Sequence, residues 1–104
     1  MRWGRSIIRS RAGKTLVIDL LVDDRGVIRK CFISGDFFAY PETLINDIEK
    51  KLPGCRLGEA LIKTRRLIED SSLLGITPED ILDGLRRAYN DAVGQKTLDK
   101  VMNY

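Results

Sequence analysis

From residue 15 to 23 the chain alternates. Leu16, Ile18, Leu20 and Val22 fall on one side of an extended backbone, and Thr15, Val17, Asp19, Leu21 and Asp23 on the other. The first set is wholly apolar, which predicts a strand facing the core through it. Asp24-Arg25-Gly26 reads as a turn, and residues 27–34 as a second strand that completes a β-hairpin. In that strand Ile28, Cys31 and Ile33 do not share one parity, and a bulge near Arg29-Lys30 brings them to one face.

Beyond the hairpin the period changes to that of helices. Pro41 suits the first turn of a helix, with Glu42 at the positive end of its dipole. Leu44, Ile45, Ile48 and Leu52 form one stripe, and Pro53-Gly54 stops it. A second helix is predicted over 57–73, with Leu57, Leu61 and Ile68 inward and Gly75 after its end. Thr77-Pro78-Glu79-Asp80 is a helix start, followed by Ile81, Leu85, Ala88, Tyr89 and Ala92, with Gly94 as the stop. Residues 95–104 read as a short tail or a frayed turn. The order predicts an α+β fold, a small antiparallel sheet covered on one face by about three helices. Its core is small, which favours a partner surface.

Charge adds an asymmetry to this picture. The 104 residues hold 18 Lys and Arg, 15 Asp and Glu and no histidine. Arg2, Arg5, Arg9, Arg11 and Lys14 lie in the first 14 residues without an acid, so that segment carries +5 and the remainder −2. Residues 1–12 therefore read as a basic N-terminal arm, whether a solvated leader, a strand that pairs with a partner, or a contact for phosphates. A cleaved transit peptide is the weaker reading, because a strand follows so closely. Trp3 in this arm is either frayed or an interface anchor.

Several chemistries drop out. Without histidine the chain holds no Ser-His-Asp or Cys-His pair. Cys31 and Cys55 are too few for a four-cysteine zinc site and are not a CxxC pair, which fits a reducing, cytoplasmic setting. No apolar run approaches the roughly 20 residues of a membrane span. Gly13-Lys14-Thr15 echoes the end of a phosphate-binding loop, but Ile8 stands where its first glycine belongs and a strand follows. Asp19, Asp23 and Asp24 read as a solvated turn before a cation site, and Lys63, Arg65 and Arg66 pair with Glu69 and Asp70 along a helix. The aromatic cluster Phe37, Phe38 and Tyr40 is the most informative feature. Two adjacent phenylalanines point apart in an extended chain, so one enters the core and the other covers a helix or a partner.

Gly13-Lys14-Thr15-Leu16, the turn at Gly26, and Ile33-Ser34-Gly35-Asp36-Phe37-Phe38 with Pro41 three residues on resemble the C-terminal accessory domain of lipoate–protein ligases. The resemblance covers about residues 13–93, and it implies an accessory domain over 13–94 between the arm and the tail. It implies a non-catalytic subunit of a bipartite ligase, paired as a heterodimer with a large catalytic subunit. That partner would bind lipoate, ATP and Mg, form lipoyl-adenylate, and pass the lipoyl group to a lysine of an acceptor protein. This chain would bind no cofactor alone and meet lipoyl-acceptor domains only indirectly. Gly35, Asp36, Phe37, Phe38 and Pro41 carry the family pattern. By that pattern Asp36 caps or braces the junction before the first helix and Phe38 lies near the partner. Lys14 matches the basic position opening the first strand, facing adenylate phosphates or an acidic patch. The competing expectations are a small nucleic-acid-binding protein using the arm and Trp3, which lacks a basic recognition helix, and a domain that binds carrier proteins without taking part in ligation.

Overall fold

The computed structural model describes residues 1–102, and side chains as far as Gly94. In chain order the elements are β1 (Arg2–Arg9), β2 (Thr15–Val22), β3 (Ile28–Gly35), β4 (Phe38–Tyr40), α1 (Leu44–Lys51), α2 (Leu57–Glu69), β5 (Ser72–Leu74) and α3 (Pro78–Met102). β1, β2 and β3 form an antiparallel sheet in that order, and β4 pairs with β5 in a two-stranded ribbon. This is the expected α+β architecture.

β2 is the central strand because its alternate positions suit a buried face. Leu16, Ile18 and Leu20 are fully buried and Val22 nearly so. In β3 the partner of Leu21 is Lys30 and the partner of Val22 is Ile28, so Arg29 is the extra residue. That is the bulge the parity of Ile28, Cys31 and Ile33 requires, and all three side chains are buried. The connecting turn is braced by Asp23, whose Oδ1 accepts from the amides of Arg25 (2.9 Å) and Val27 (3.0 Å).

The N-terminus departs from the expected arm. Residues 2–9 are no free arm: they form β1, paired with β2 along its whole length, from Arg2↔Val22 to Arg9↔Thr15. Periodicity misses this strand because its inward residues are Gly4, Ser6 and Ile8, of which only one is large and apolar. Small residues are what the packing needs, since α3 lies directly on them. The Ser6 hydroxyl donates to the Gly84 carbonyl at 2.7 Å, and a methyl group on Gly4 would overlap the Ala88 carbonyl and come 2.5 Å from the Ala92 nitrogen. Trp3 is accordingly on a paired strand, stacked on Phe32 with ring centroids 6.0 Å apart.

Three helix boundaries also move. Pro41 is not in the first turn of α1. The Tyr40–Pro41 bond is cis, the Pro41 carbonyl accepts from the Leu44 amide at 3.0 Å, and the helix begins at Leu44. α2 ends at Glu69 rather than Leu73. Ser71 turns its hydroxyl back onto the Ile68 carbonyl (2.7 Å), which frees 72–74 to pair with β4. Its buried positions are Ala60, Thr64 and Ile68, with Leu57 and Leu61 half-buried. α3 runs through Gly94, which therefore does not stop it; the side chains of the expected tail 95–104 lie outside the described residues. Its start is as expected: the Thr77 hydroxyl accepts from the Asp80 amide (3.1 Å) while Asp80 accepts from the Thr77 amide (2.9 Å), a reciprocal cap.

Thr64 is fully buried, and its hydroxyl has no hydrogen-bond partner among the described residues. An unsatisfied buried hydroxyl costs on the order of 1–3 kcal/mol. Thr64→Val keeps the shape and removes the polar atom. It is expected to raise stability by about 1 kcal/mol, or roughly 4–8 °C in melting temperature for a domain of this size. A lower melting temperature for this variant would mean that the hydroxyl is paired after all.

Candidate functional site

The residues of interest meet where the β1–β2 turn, the end of β3 and the β4–β5 ribbon converge. Leu16 pairs with Gly35, so β3 ends beside the start of β2. There the Thr15 amide donates to Asp36 Oδ1 at 2.7 Å, and the Asp36 amide returns a bond to the Thr15 carbonyl at 3.3 Å. Gly35 permits this closure: a methyl group on it would overlap the Thr15 carbonyl oxygen and lie 2.8 Å from the Phe37 ring. Asp36 thus braces the strand ends, not the helix start, where Thr43 is the cap position.

Phe37 turns inward and packs half-buried against the core, while Phe38 turns out and is 71% exposed. In the ribbon Phe38 pairs with Leu74 and Tyr40 with Ser72, so Phe38, Tyr40 and Leu74 share one face. Tyr40 is 72% and Leu74 69% exposed, a level that leaves the strip open to a partner. The hydrophobic pattern hides Leu74, because two leucines after an apolar helix read as its continuation; the cue is the Ser71-Ser72 break.

Lys14 joins this end through its backbone and stem. Its amide donates to the Ser10 hydroxyl at 3.1 Å, that hydroxyl donates to the Gly75 carbonyl at 2.6 Å, and its aliphatic carbons lie over Gly75. Two shallow grooves flank the end. One of about 390 Å³ is lined by Ser34, Gly35, Phe37, Phe38, Glu42 and Ile45. The other, about 430 Å³, is lined by Ser10, Arg11, Gly75, Thr77 and Asp80 among others. Trp3 stands apart, six positions along β1 from Arg9, about 20 Å at strand spacing.

The electrostatics fit a braced, cationic edge. The bond from the Thr15 amide holds the Asp36 carboxyl below its ordinary pKa, and Lys14 and Arg9 push the same way against some desolvation. A folded-state pKa below the unfolded one means that this brace is intact above the ordinary carboxylate range and is lost as pH falls through the depressed value. Protection of the Thr15 amide from hydrogen exchange is therefore expected to fall only below the ordinary carboxylate range. In Asp36→Ala it is expected to be lost already at neutral pH; equal protection in the variant would show that Asp36 is no brace.

Among the described residues nothing pairs a nucleophile with a base. Burial, with lesser contributions from Glu49 and Asp19, pushes the Cys31 thiol up to about 12, which keeps it protonated at neutral pH. No group of three His, Cys, Asp or Glu among the described residues is placed to hold a metal. Asp19 is engaged by Arg5 at 2.7 Å, and Asp24 lies 3.8 Å from the N-terminal ammonium. No helix is long and apolar enough to cross a membrane among the described residues. What the site offers is exposed aromatic area beside a tethered lysine.

Comparison with known proteins gives a consistent result. The sequence profile of the family described as bacterial lipoate protein ligase C-terminus matches residues 13–85. That span holds Lys14 and the stretch from Gly35 to Pro41, and leaves out β1 with Trp3. No curated protein sequence matches. Among solved structures, the chain is similar to one from the structural analysis of an archaeal lipoylation system, a bi-partite lipoate protein ligase and its E2 lipoyl domain from Thermoplasma acidophilum. Identity is 27%, coverage 82% of this chain and 94% of that one, and the TM-score 0.70.

Proposed function

The chain belongs to the bacterial lipoate protein ligase C-terminus family, and from that premise we propose that it is the accessory subunit of a bipartite lipoate–protein ligase. It forms a cytoplasmic heterodimer with a separate catalytic subunit, which binds lipoate, ATP and Mg. The observation that carries this reading is the extent of the structural likeness. It takes in nearly all of a chain from a ligase that is itself bi-partite.

The geometry supports a role in activation without catalysis. ATP-dependent adenylation needs loops closed over the reacting groups and water kept out. A partner that binds the closed arrangement better than the open one raises its population without supplying a reacting side chain. The end carrying Lys14, Asp36 and Phe38 suits such a partner. Asp36 and Gly35 fix its backbone, Phe38, Tyr40 and Leu74 supply contact area, and Lys14 supplies a cation. The catalytic subunit makes lipoyl-adenylate in this closed state and then transfers the lipoyl group to an acceptor lysine. The nucleic-acid alternative loses its mobile basic arm, since residues 2–9 are a paired strand and Arg5 is held by Asp19.

The test is pyrophosphate release from lipoate and ATP by the separate catalytic protein of the same genome, with and without this chain. Release is expected only when both are present. Equal release by the catalytic protein alone overturns the activation role.

A further inference from the structure

We propose that the open face of the three-stranded sheet docks on the catalytic subunit, against an apolar patch bordered by carboxylates. The occupant named here rests on the function proposed above.

β2 runs through the middle of this face. Apart from Asp19, its residues are all apolar or threonine, a composition that belongs to strands covered on both faces. Yet all the helices lie on one face. The other carries Ile7 (63% exposed) and Phe32 (52%), the Trp3 ring stacked on Phe32, and the half-buried Val17 and Leu21.

The sheet's edges are engaged by carboxylates. The Arg5 amide on the β1 edge donates to Asp91 of α3 at 2.9 Å, and the Ile33 amide on the β3 edge donates to Glu49 of α1 at 2.8 Å. These contacts oppose strand addition at either edge, so a partner approaches face-on.

Charge selects the partner. The only carboxylate on the outward positions of the three strands is Asp19, and Arg5 grips both its oxygens, at 2.7 and 3.1 Å. That pair is neutral and can be covered without leaving an unpaired charge. Of the remaining outward charges, Arg29 in the bulge lies 3.9 Å from Asp23, and Arg9 and Lys30 are cations at opposite ends of the apolar strip. A second copy laid face to face would oppose cation with cation, whereas an apolar surface edged with carboxylates matches both features. Two such cations are few for a phosphate backbone, and the aromatic rings are stacked on each other, so a protein fits better than a nucleic acid.

The experiment titrates the catalytic subunit with wild-type chain, with the double variant Ile7→Ser/Phe32→Ser, and with Lys30→Glu, following pyrophosphate release and calorimetric binding. Thermal melts check that each variant is folded. The double variant is expected to raise the half-saturating concentration roughly tenfold or more, and Lys30→Glu to raise it by about threefold with a weaker salt dependence. Both are expected to recover the wild-type plateau at high concentration. Unchanged half-saturation in both variants overturns the docking face while leaving the proposed function standing. Failure of the wild type itself to bind or activate overturns that function and this occupant together. A wild-type dimer by light scattering that the double variant dissolves, or binding of a single-stranded oligonucleotide that it abolishes, assigns the face elsewhere and also overturns the proposal.

Discussion

Gly4→Ala is expected to destabilise the fold by about 3 kcal/mol or more, the upper end of the cost of overpacking. For a domain of this size that lowers the melting temperature by roughly 12–24 °C. The added methyl meets the Ala88 carbonyl and the Ala92 nitrogen, which are backbone atoms of α3 and cannot swing aside as a flexible side chain can. Relief requires α3 to move off β1, and that movement breaks the Ser6–Gly84 and Arg5–Asp91 hydrogen bonds as well. Urea and thermal melts of Gly4→Ala measure the effect, with Gly58→Ala as the control, because a methyl at Gly58 meets nothing within 4 Å. A Gly4→Ala melt within a few degrees of wild type would show that β1 does not sit under α3 as described.

Phe38→Asp is expected to leave folding nearly unchanged and to cut activation. The ring is mostly exposed, so the isolated chain loses little on its removal. At an interface a large aromatic contributes about 2 kcal/mol or more, and a charge there adds a desolvation cost. Pyrophosphate release at a chain concentration that saturates for wild type should therefore drop by about thirtyfold. Raising the concentration is not expected to restore it, in contrast to the sheet-face variants, because this end acts on the closed state of the catalytic subunit. Activity within twofold of wild type would remove Phe38 from the activating contact.

The parts of this fold that can be read in advance are those whose side chains repeat with the period of their element. β2 and the inward positions of β3 announce themselves through alternating apolar residues, and the parity break at Ile28 even locates the extra residue. The cap at Thr77 is equally local, since both partners lie within three positions. β1 hides because a close helix demands Gly4 and Ser6 where an ordinary strand shows Val or Leu. β5 hides because three residues cannot establish a period, and Leu73-Leu74 extend the apolar run of α2. The site is half legible. Its aromatic pair is conspicuous in the chain, but the meeting of Lys14, Asp36 and Leu74 depends on long-range pairing that no spacing encodes. Trp3 is conspicuous too, yet the register of β1 carries it to the far end of the sheet.

The hydrogen bonds of Ser6 to Gly84 and of Arg5 to Asp91 join residues 78 and 86 positions apart. On the ribosome the strand is therefore made long before the helix that covers it. Until α3 has emerged, the hairpin of β1 and β2 presents Leu16, Ile18 and Leu20 without their cover. Synthesis at about 5–20 residues per second leaves that interval open for several seconds. Folding of this chain is thus expected to wait for α3, and a nascent chain stalled before α3 should be a ready client for chaperones.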